Sequence, residues 1–160
     1  MIGVGTDMTG VGSDISLSAA PCLTGGSVVH LQGDPGAFVF SGVETDQMTS
    51  WSPANLDPNT FWYQAFPGYW VFAFSSEQLG KPLAVGRYDN AMRHPLEASG
   101  HGGFDISGNG RGCNTERGWF EILSISGGPA NGDFTELTAI FEHHCEGETP
   151  ALRGCLHYQR

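Results

Sequence analysis

The residues with the greatest chemical reach in this chain gather in its second half. Four segments hold them: Tyr88-Asp89-Asn90-Ala91-Met92-Arg93-His94-Pro95, Gly108-Asn109-Gly110-Arg111-Gly112-Cys113-Asn114, Phe141-Glu142-His143-His144-Cys145-Glu146-Gly147 and Pro150-Ala151-Leu152-Arg153-Gly154. Cys113, Cys145 and one of His143 or His144 supply thiolate and imidazole, the donors zinc favours. A fourth ligand is not evident and the close ligand pairs of structural zinc sites are absent, so the sequence assigns no metal. Arg93, Arg111 and Glu146, with Arg153 and Glu142, read as a structural polar network, because a planar guanidinium braces loops by bonding carbonyls and carboxylates. Direct contact with a ligand is the alternative use of these groups. Glycines on both sides of Arg111 suit a backbone with positive φ, and so a shaped loop.

The four cysteines, Cys22, Cys113, Cys145 and Cys155, lie far apart and include no C-x-x-C. An even count at wide spacing is compatible with two disulfides in any of three pairings, or with four buried thiols. One pairing has a geometric argument. Cys113 precedes a strand-like run at Trp119 and Cys145 ends the next, so a hairpin brings them within the roughly 7 Å between Cα atoms that a disulfide needs. Cys22 and Cys155 then join the first strand to the last. Two disulfides imply an oxidising compartment, hence a secreted or cell-surface protein.

Calcium is the one cofactor to weigh. Asp/Asn-bearing loops at 55–59, 105–109 and 131–133 offer oxygen ligands, although the same residues are the best turn formers and no EF-hand is present. Catalytic motifs are missing: there is no G-x-S-x-G elbow, H-E-x-x-H, P-loop or dinucleotide fingerprint. Glu116, Glu121, Glu142 and Glu146 could include a glycosidase-like carboxylate pair, which requires a cleft and a set separation.

Taken in order, the four segments resemble a module of bacterial secreted and cell-surface proteins, with the pattern G-x-Y-x-N-A-x-R-x-P … G-x-G-R-G-C-N … F-x-x-H-C-E-G-x-x-P-A-L-x-G. The resemblance covers roughly residues 70–158 and implies a β-sandwich accessory domain, usually attached to something larger. It carries over no activity and no catalytic residue. Cys22 and Cys155 are additions to the pattern.

Strands must position these groups. Charged residues are only 15% of the chain, Gly numbers 24, and Lys81 is the one lysine, so helices lack the charged faces they need. Gly and Pro breaks fall every 8–15 residues, the spacing of a sandwich or barrel. Between them, Ser27–Leu31, Ala37–Phe40, Trp119–Ile125 and Leu152–Tyr158 have strand chemistry. Tyr69–Phe74 places Trp70, Phe72 and Phe74 on one face, and Phe134–Cys145 does so with Leu137, Ala139, Phe141, His143 and Cys145. Helix is expected only as a turn near Ser76–Leu79 and another near Asn90–His94, stopped by Pro95. The 50–64 stretch is the least orderly. Its Trp51, Trp62 and Tyr63 either anchor a loop or face solvent as a ligand platform.

The reading is therefore an all-β, two-sheet antiparallel sandwich, jelly-roll-like or Ig-like, over residues 15–160, with a flexible lead-in at 1–14. No signal peptide and no apolar run long enough to span a membrane is seen. A formal charge of −10 repels phosphate backbones and excludes nucleic acid as a partner. The expected function is a non-catalytic binding or adhesion module, its ligand a carbohydrate, with Trp51, Trp62 and Tyr63 as the contact residues. A glycan-active enzyme and an assembly domain binding another protein are the alternatives. Oligomeric state is not legible.

Overall fold

Alternating aromatic runs set the architecture. The structure, a computed structural model, describes residues 19–23, 25–52, 57–128 and 133–160; the side chains of residues 50–52, and the lead-in expected at 1–14, lie outside the described residues. Ten strands form: β1 (Val28–Gly33), β2 (Gly42–Gln47), β3 (Thr49–Ser52), β4 (Thr60–Phe66), β5 (Trp70–Ser75), β6 (Gly86–Arg93), β7 (Gly103–Ser107), β8 (Glu116–Gly127), β9 (Phe134–Cys145) and β10 (Ala151–Gln159). Among the described residues the only helical pieces are 3-10 turns at Ala20–Cys22 and Glu77–Leu79. The chain is mostly β, as its composition demands.

All ten strands share one hydrogen-bonded sheet, in the order β2-β1-β10-β9-β8-β6-β7-β5-β4-β3. Here the structure departs from two separate antiparallel sheets. The sheet curls back on itself, so that rings of β4 and β5 meet rings of β8, β9 and β10 across the interior. Between ring centroids, Phe61 stands 5.3 Å from Tyr158 and 5.6 Å from Phe134, and Phe74 stands 5.1 Å from Phe120. Two walls thus face one another, and β6 joins them. The join is thin. β6 runs antiparallel along β8 from Gly86↔Ile122 to Met92↔Arg117, but meets β7 in parallel at Met92↔Gly103 and Arg93↔Phe104 alone. That short parallel ladder makes the sheet mixed. Period-two alternation reports which face of a strand is buried and says nothing of which edges are joined, so the continuity leaves no trace in the pattern.

The core is built as the alternation requires. Trp70, Phe72 and Phe74 of β5 are fully buried, as are Leu137, Ala139 and Phe141 of β9. Each large apolar side chain hidden this way contributes about 1.5–3 kcal/mol.

Two local expectations need correction. Residues 37–40 form no strand: Ala37 N donates to Asp34 O, and the segment folds back over the end of β1. A Cβ on Gly33 would lie 1.9 Å from Phe40 O, so only glycine permits that return. Residues 90–93, expected as a helical turn, belong to β6. A β-bulge between Tyr88 and Ala91, with Asn90 at φ 53°, breaks the alternation there and gives the run helix-like spacing.

Candidate functional site

β8 and β9 form a long antiparallel pair whose two faces carry different chemistry. Because neighbours on a strand point to opposite sides, His143 faces the interior and His144 faces out.

On the inner face, register gathers polar groups where β6 ends. Glu116 pairs with Cys145, Gly118 with His143, and Arg93 with Phe104. Cys113 and Cys145 are joined in a disulfide with a Cα–Cα distance of 5.4 Å. His143 Nε2 lies 3.6 Å from Cys113 Sγ and 3.6 Å from Glu116 Oε1. The Glu116 side chain is wholly buried, and no hydrogen bond of normal geometry reaches either carboxyl oxygen, the Ile106 backbone being the one polar backbone group that acts on it. Burial pushes the Glu116 pKa up to about 9; the neighbouring Asp105 charge adds to this and Arg93 opposes it. Burial also pushes His143 down to about 4, against the pull of Asp105. At neutral pH the pair is a carboxylic acid beside a neutral imidazole, because neither charge is adequately solvated.

The loop leading into β8 is braced by the expected polar residues. Arg93 Nη1 donates to Asn114 O (3.4 Å), while Glu146 accepts from Asn114 N and from Thr115 Oγ1 (3.2 Å). These backbone and hydroxyl donors hold the exposed Glu146 carboxyl below its usual range. Arg111 reaches elsewhere: its Nη1 donates to Phe38 O (3.1 Å) and its guanidinium lies 5.7 Å from the centre of the Phe38 ring. The structure brings Arg93 and Glu146 to one loop segment and sends Arg111 to another.

On the outer face lies a groove of about 370 Å³, lined by Asp89, Asn90, Arg117, Gly118, Trp119, Glu142 and His144. The β6 bulge turns Asp89 and Asn90 to its rim. Gly118 borders the groove with its backbone, and only glycine fits there, since a Cβ would stand 1.9 Å from Glu142 O and 3.2 Å from the buried Phe104 ring. Trp119 is half-buried, packed on the Cys22, Ile140 and Cys155 cluster, with the Arg87 guanidinium 3.8 Å from the centre of its ring. Glu142 accepts from Arg153 Nε (2.8 Å) and lies 3.3 Å from His144 Nε2, and Arg153 Nη1 donates to Asp34 Oδ1 (2.9 Å). Asp34 also accepts from Ala151 N, and that backbone bond, with Arg153, holds its carboxyl below the usual range.

Of the aromatic residues expected to contact a ligand, Trp62 and Tyr63 are not brought together on one face. Trp51 lies in β3, its side chain outside the described residues, and Trp62 is half-buried. Tyr63 belongs to the core: it is fully buried, 5.0 Å from Tyr158 between centroids. Adjacent residues on one strand cannot share a face, so Trp62 and Tyr63 form no common platform. Sequence reasoning gave the Trp119–Ile125 run strand chemistry but did not place Trp119 at a groove. The alternation of Phe120 and Ile122 inward was the signal that Trp119 faces out.

The second disulfide, Cys22–Cys155, ties the segment before β1 to β10 with a Cα–Cα distance of 6.1 Å. Of the loops weighed for calcium, residues 53–56 and 129–132 lie outside the described residues, and Asp105 sits within β7. Among the described residues, two groups of side chains have donor atoms within 4.8 Å of one another: Cys113, Glu116 and His143, all buried, and Glu77, His94 and Glu97, nearer the surface. In the latter, His94 Nδ1 and Glu97 Oε1 already bond each other at 2.9 Å. Comparison with protein-family models, curated proteins and solved structures finds no match to this chain.

Proposed function

We propose that this chain is a non-catalytic binding module of an extracytoplasmic protein, and that its ligand is a carbohydrate held in the outer groove. The observation that carries the reading is the lining of that groove, where an indole ring stands among carboxylate, amide, guanidinium and imidazole groups. Polyhydroxyl ligands are held by such mixtures, an aromatic ring meeting C–H surfaces and planar polar groups fixing hydroxyls. The groove rests on paired strands, with Glu142 held in place by Arg153, so its geometry is set before a ligand arrives. Two disulfides support an oxidising compartment. The net charge of −10 favours neutral or cationic sugars over anionic ones. We read the two facing walls as a sandwich closed along one side, consistent with the surface module that the second-half motifs resemble.

Titration of the disulfide-intact protein with neutral oligosaccharides, followed by heteronuclear NMR, tests this. Binding is expected to shift the amide signals of Arg117, Trp119 and His144 without release of reducing ends. Asp89→Asn and Arg117→Ala each lower affinity by about tenfold, the loss of one charged hydrogen bond. Shifts confined to other surfaces, or no binding at all, sink the reading. Release of reducing sugar that Glu142→Gln abolishes would favour a glycan-active enzyme instead, since Asp89 and Glu142 line the same groove.

A further inference from the structure

The inner cluster plays no part in the carbohydrate reading, and its geometry is that of a metal centre. We propose that Cys113, Cys145, His143 and Glu116 bind one Zn²⁺ ion when the Cys113–Cys145 disulfide is reduced. Four donors on a single tetrahedral zinc, at bond lengths of 2.0–2.3 Å, stand about 3.4–3.8 Å from one another. The observed separations, 3.6 Å from Cys113 Sγ to His143 Nε2 and 3.6 Å from His143 Nε2 to Glu116 Oε1, match those edges. Reduction lets the two sulfurs part, and Cys145 Sγ, which is bonded to Cys113 but lies outside the close group of Cys113, Glu116 and His143, then has to swing in as the fourth donor.

Glu116 supplies the independent argument. Buried polar groups in folded proteins are almost always partnered, and a wholly buried carboxyl that meets only the Ile106 backbone, short of a hydrogen bond of normal geometry, calls for an explanation. A cation between it, the imidazole and the sulfurs provides one. The surroundings fit the outer shell of such a site. Asp105 acts electrostatically on His143 and Arg93 on Glu116, and the Phe104 ring lies edge-on 5.7 Å from His143, closing the site to water. Two thiolates, one imidazole and one carboxylate make a closed, soft-to-borderline tetrahedral set, which suits zinc and not calcium or magnesium.

With Glu116 admitted as a ligand, the four donors fall into two pairs that are close in sequence. Cys113-x-x-Glu116 brings one donor from the loop entering β8 and one from its first residue, and His143-x-Cys145 puts two donors on one face of β9. Cys22–Cys155 has no such company: Ile140, Ala19 and Trp119 surround it.

The chemistry balances. Two molecules of a low-molecular-weight thiol donate two electrons and two protons to the disulfide, giving two cysteine thiols and one external disulfide. Zinc then displaces the two thiol protons and the Glu116 proton, and His143 binds as the neutral ring. The three anionic ligands leave the centre with one net negative charge, which Arg93 faces.

The test uses the full chain, oxidised or fully reduced under anaerobic conditions, with Zn²⁺ or Co²⁺ as probe. Native mass spectrometry is expected to show one metal per reduced chain and none per oxidised chain. Cobalt is expected to give the intense visible absorption of a tetrahedral thiolate complex. Glu116→Gln should weaken zinc binding by more than about 100-fold, beyond the 10–100-fold typical of outer-shell changes. Should the reduced chain unfold without metal, stoichiometric zinc must refold it. No uptake by the reduced chain, equal uptake by the oxidised chain, a pale octahedral cobalt spectrum, an unaltered Glu116→Gln affinity, or a reduced chain that zinc fails to refold would each overturn the proposal. Because carbohydrate titration is done on the oxidised protein, the two readings fail separately.

Discussion

His143 and His144 are neighbours in sequence and opposites in environment. His143 lies in the interior with Glu116 and the Cys113–Cys145 disulfide, where desolvation keeps the acid protonated and the imidazole neutral. His144 lies on the outer groove beside Glu142, Arg153 and Asp34, where part of each side chain reaches water and opposite charges meet at 2.8–2.9 Å. Each face also has one disulfide, the inner one among titratable groups and the outer one among apolar side chains. The same two strands therefore carry two kinds of polar chemistry. The dielectric on each side, not the residue types, decides whether a carboxyl is an acid or an ion.

Removing the disulfides one at a time probes this contrast with the largest effect. Closing 133 residues against 32, the chain-entropy model gives about 5 kcal/mol for Cys22–Cys155 and about 3.7 kcal/mol for Cys113–Cys145. Denaturant unfolding of Cys22→Ala/Cys155→Ala and Cys113→Ala/Cys145→Ala should keep that order. A larger cost for the inner pair would show that the buried polar cluster depends on its bond.

A smaller effect separates the faces by pH, in the oxidised, metal-free protein. The folded pKa of Glu116 is raised from 4.5 to about 9, so its contribution is complete below pH 4.5 and is lost as pH rises towards 9. The folded pKa of His143 is lowered from 6.5 to about 4, so its contribution is complete above pH 6.5 and is lost as pH falls towards 4. Between pH 4.5 and 6.5 the two slopes cancel, and above 6.5 Glu116 dominates. The charges of Asp105, Arg93 and Glu146 bear on it throughout, and Glu44, raised to about 7 chiefly by a hydrogen bond to Asp46, adds a weaker slope of its own. Wild-type stability should fall by on the order of 3 kcal/mol from pH 6.5 to 9. Glu116→Gln, which mimics the protonated acid, should flatten the Glu116 part of that fall. Parallel curves for the two proteins would mean that Glu116 is ionised.

The smallest effect belongs to the outer face. Arg153→Met removes two partly exposed ion pairs, with Glu142 and Asp34, and should cost about 1 kcal/mol. That cost should shrink in high salt, whereas the cost of an inner-face substitution should not. A salt-insensitive Arg153→Met cost would erase the distinction between the faces.

Much of the framework was legible in advance. Trp70, Phe72 and Phe74 announced β5, and the alternation of Phe134–Cys145 correctly put His143 and Cys145 on one face and Glu142 and His144 on the other. The hairpin argument for Cys113 and Cys145 needed only β8 and β9. Other features were hidden for physical reasons. The groove depends on a bulge at Asn90 that disguised β6 as a helical turn. Glu116 counts as a neighbour of His143 only through the β8–β9 register, and its burial, which makes it chemically unusual, has no local signature. Tyr63, an aromatic residue in a stretch rich in proline, could equally anchor a loop or face a ligand by its sequence, and it proved to be core.

By itself, the sequence determined that strands would form, which faces they would bury, and which cysteines had a route to one another. Those properties follow from the two-residue period of an extended chain and from the position of its breaks. Tertiary structure alone decided that the strands join into one curled sheet, that an acid and an imidazole meet two sulfurs inside it, and that a groove opens on the opposite face. Such contacts join residues distant in the chain, and the energy that selects them comes from packing and desolvation, which no local pattern records.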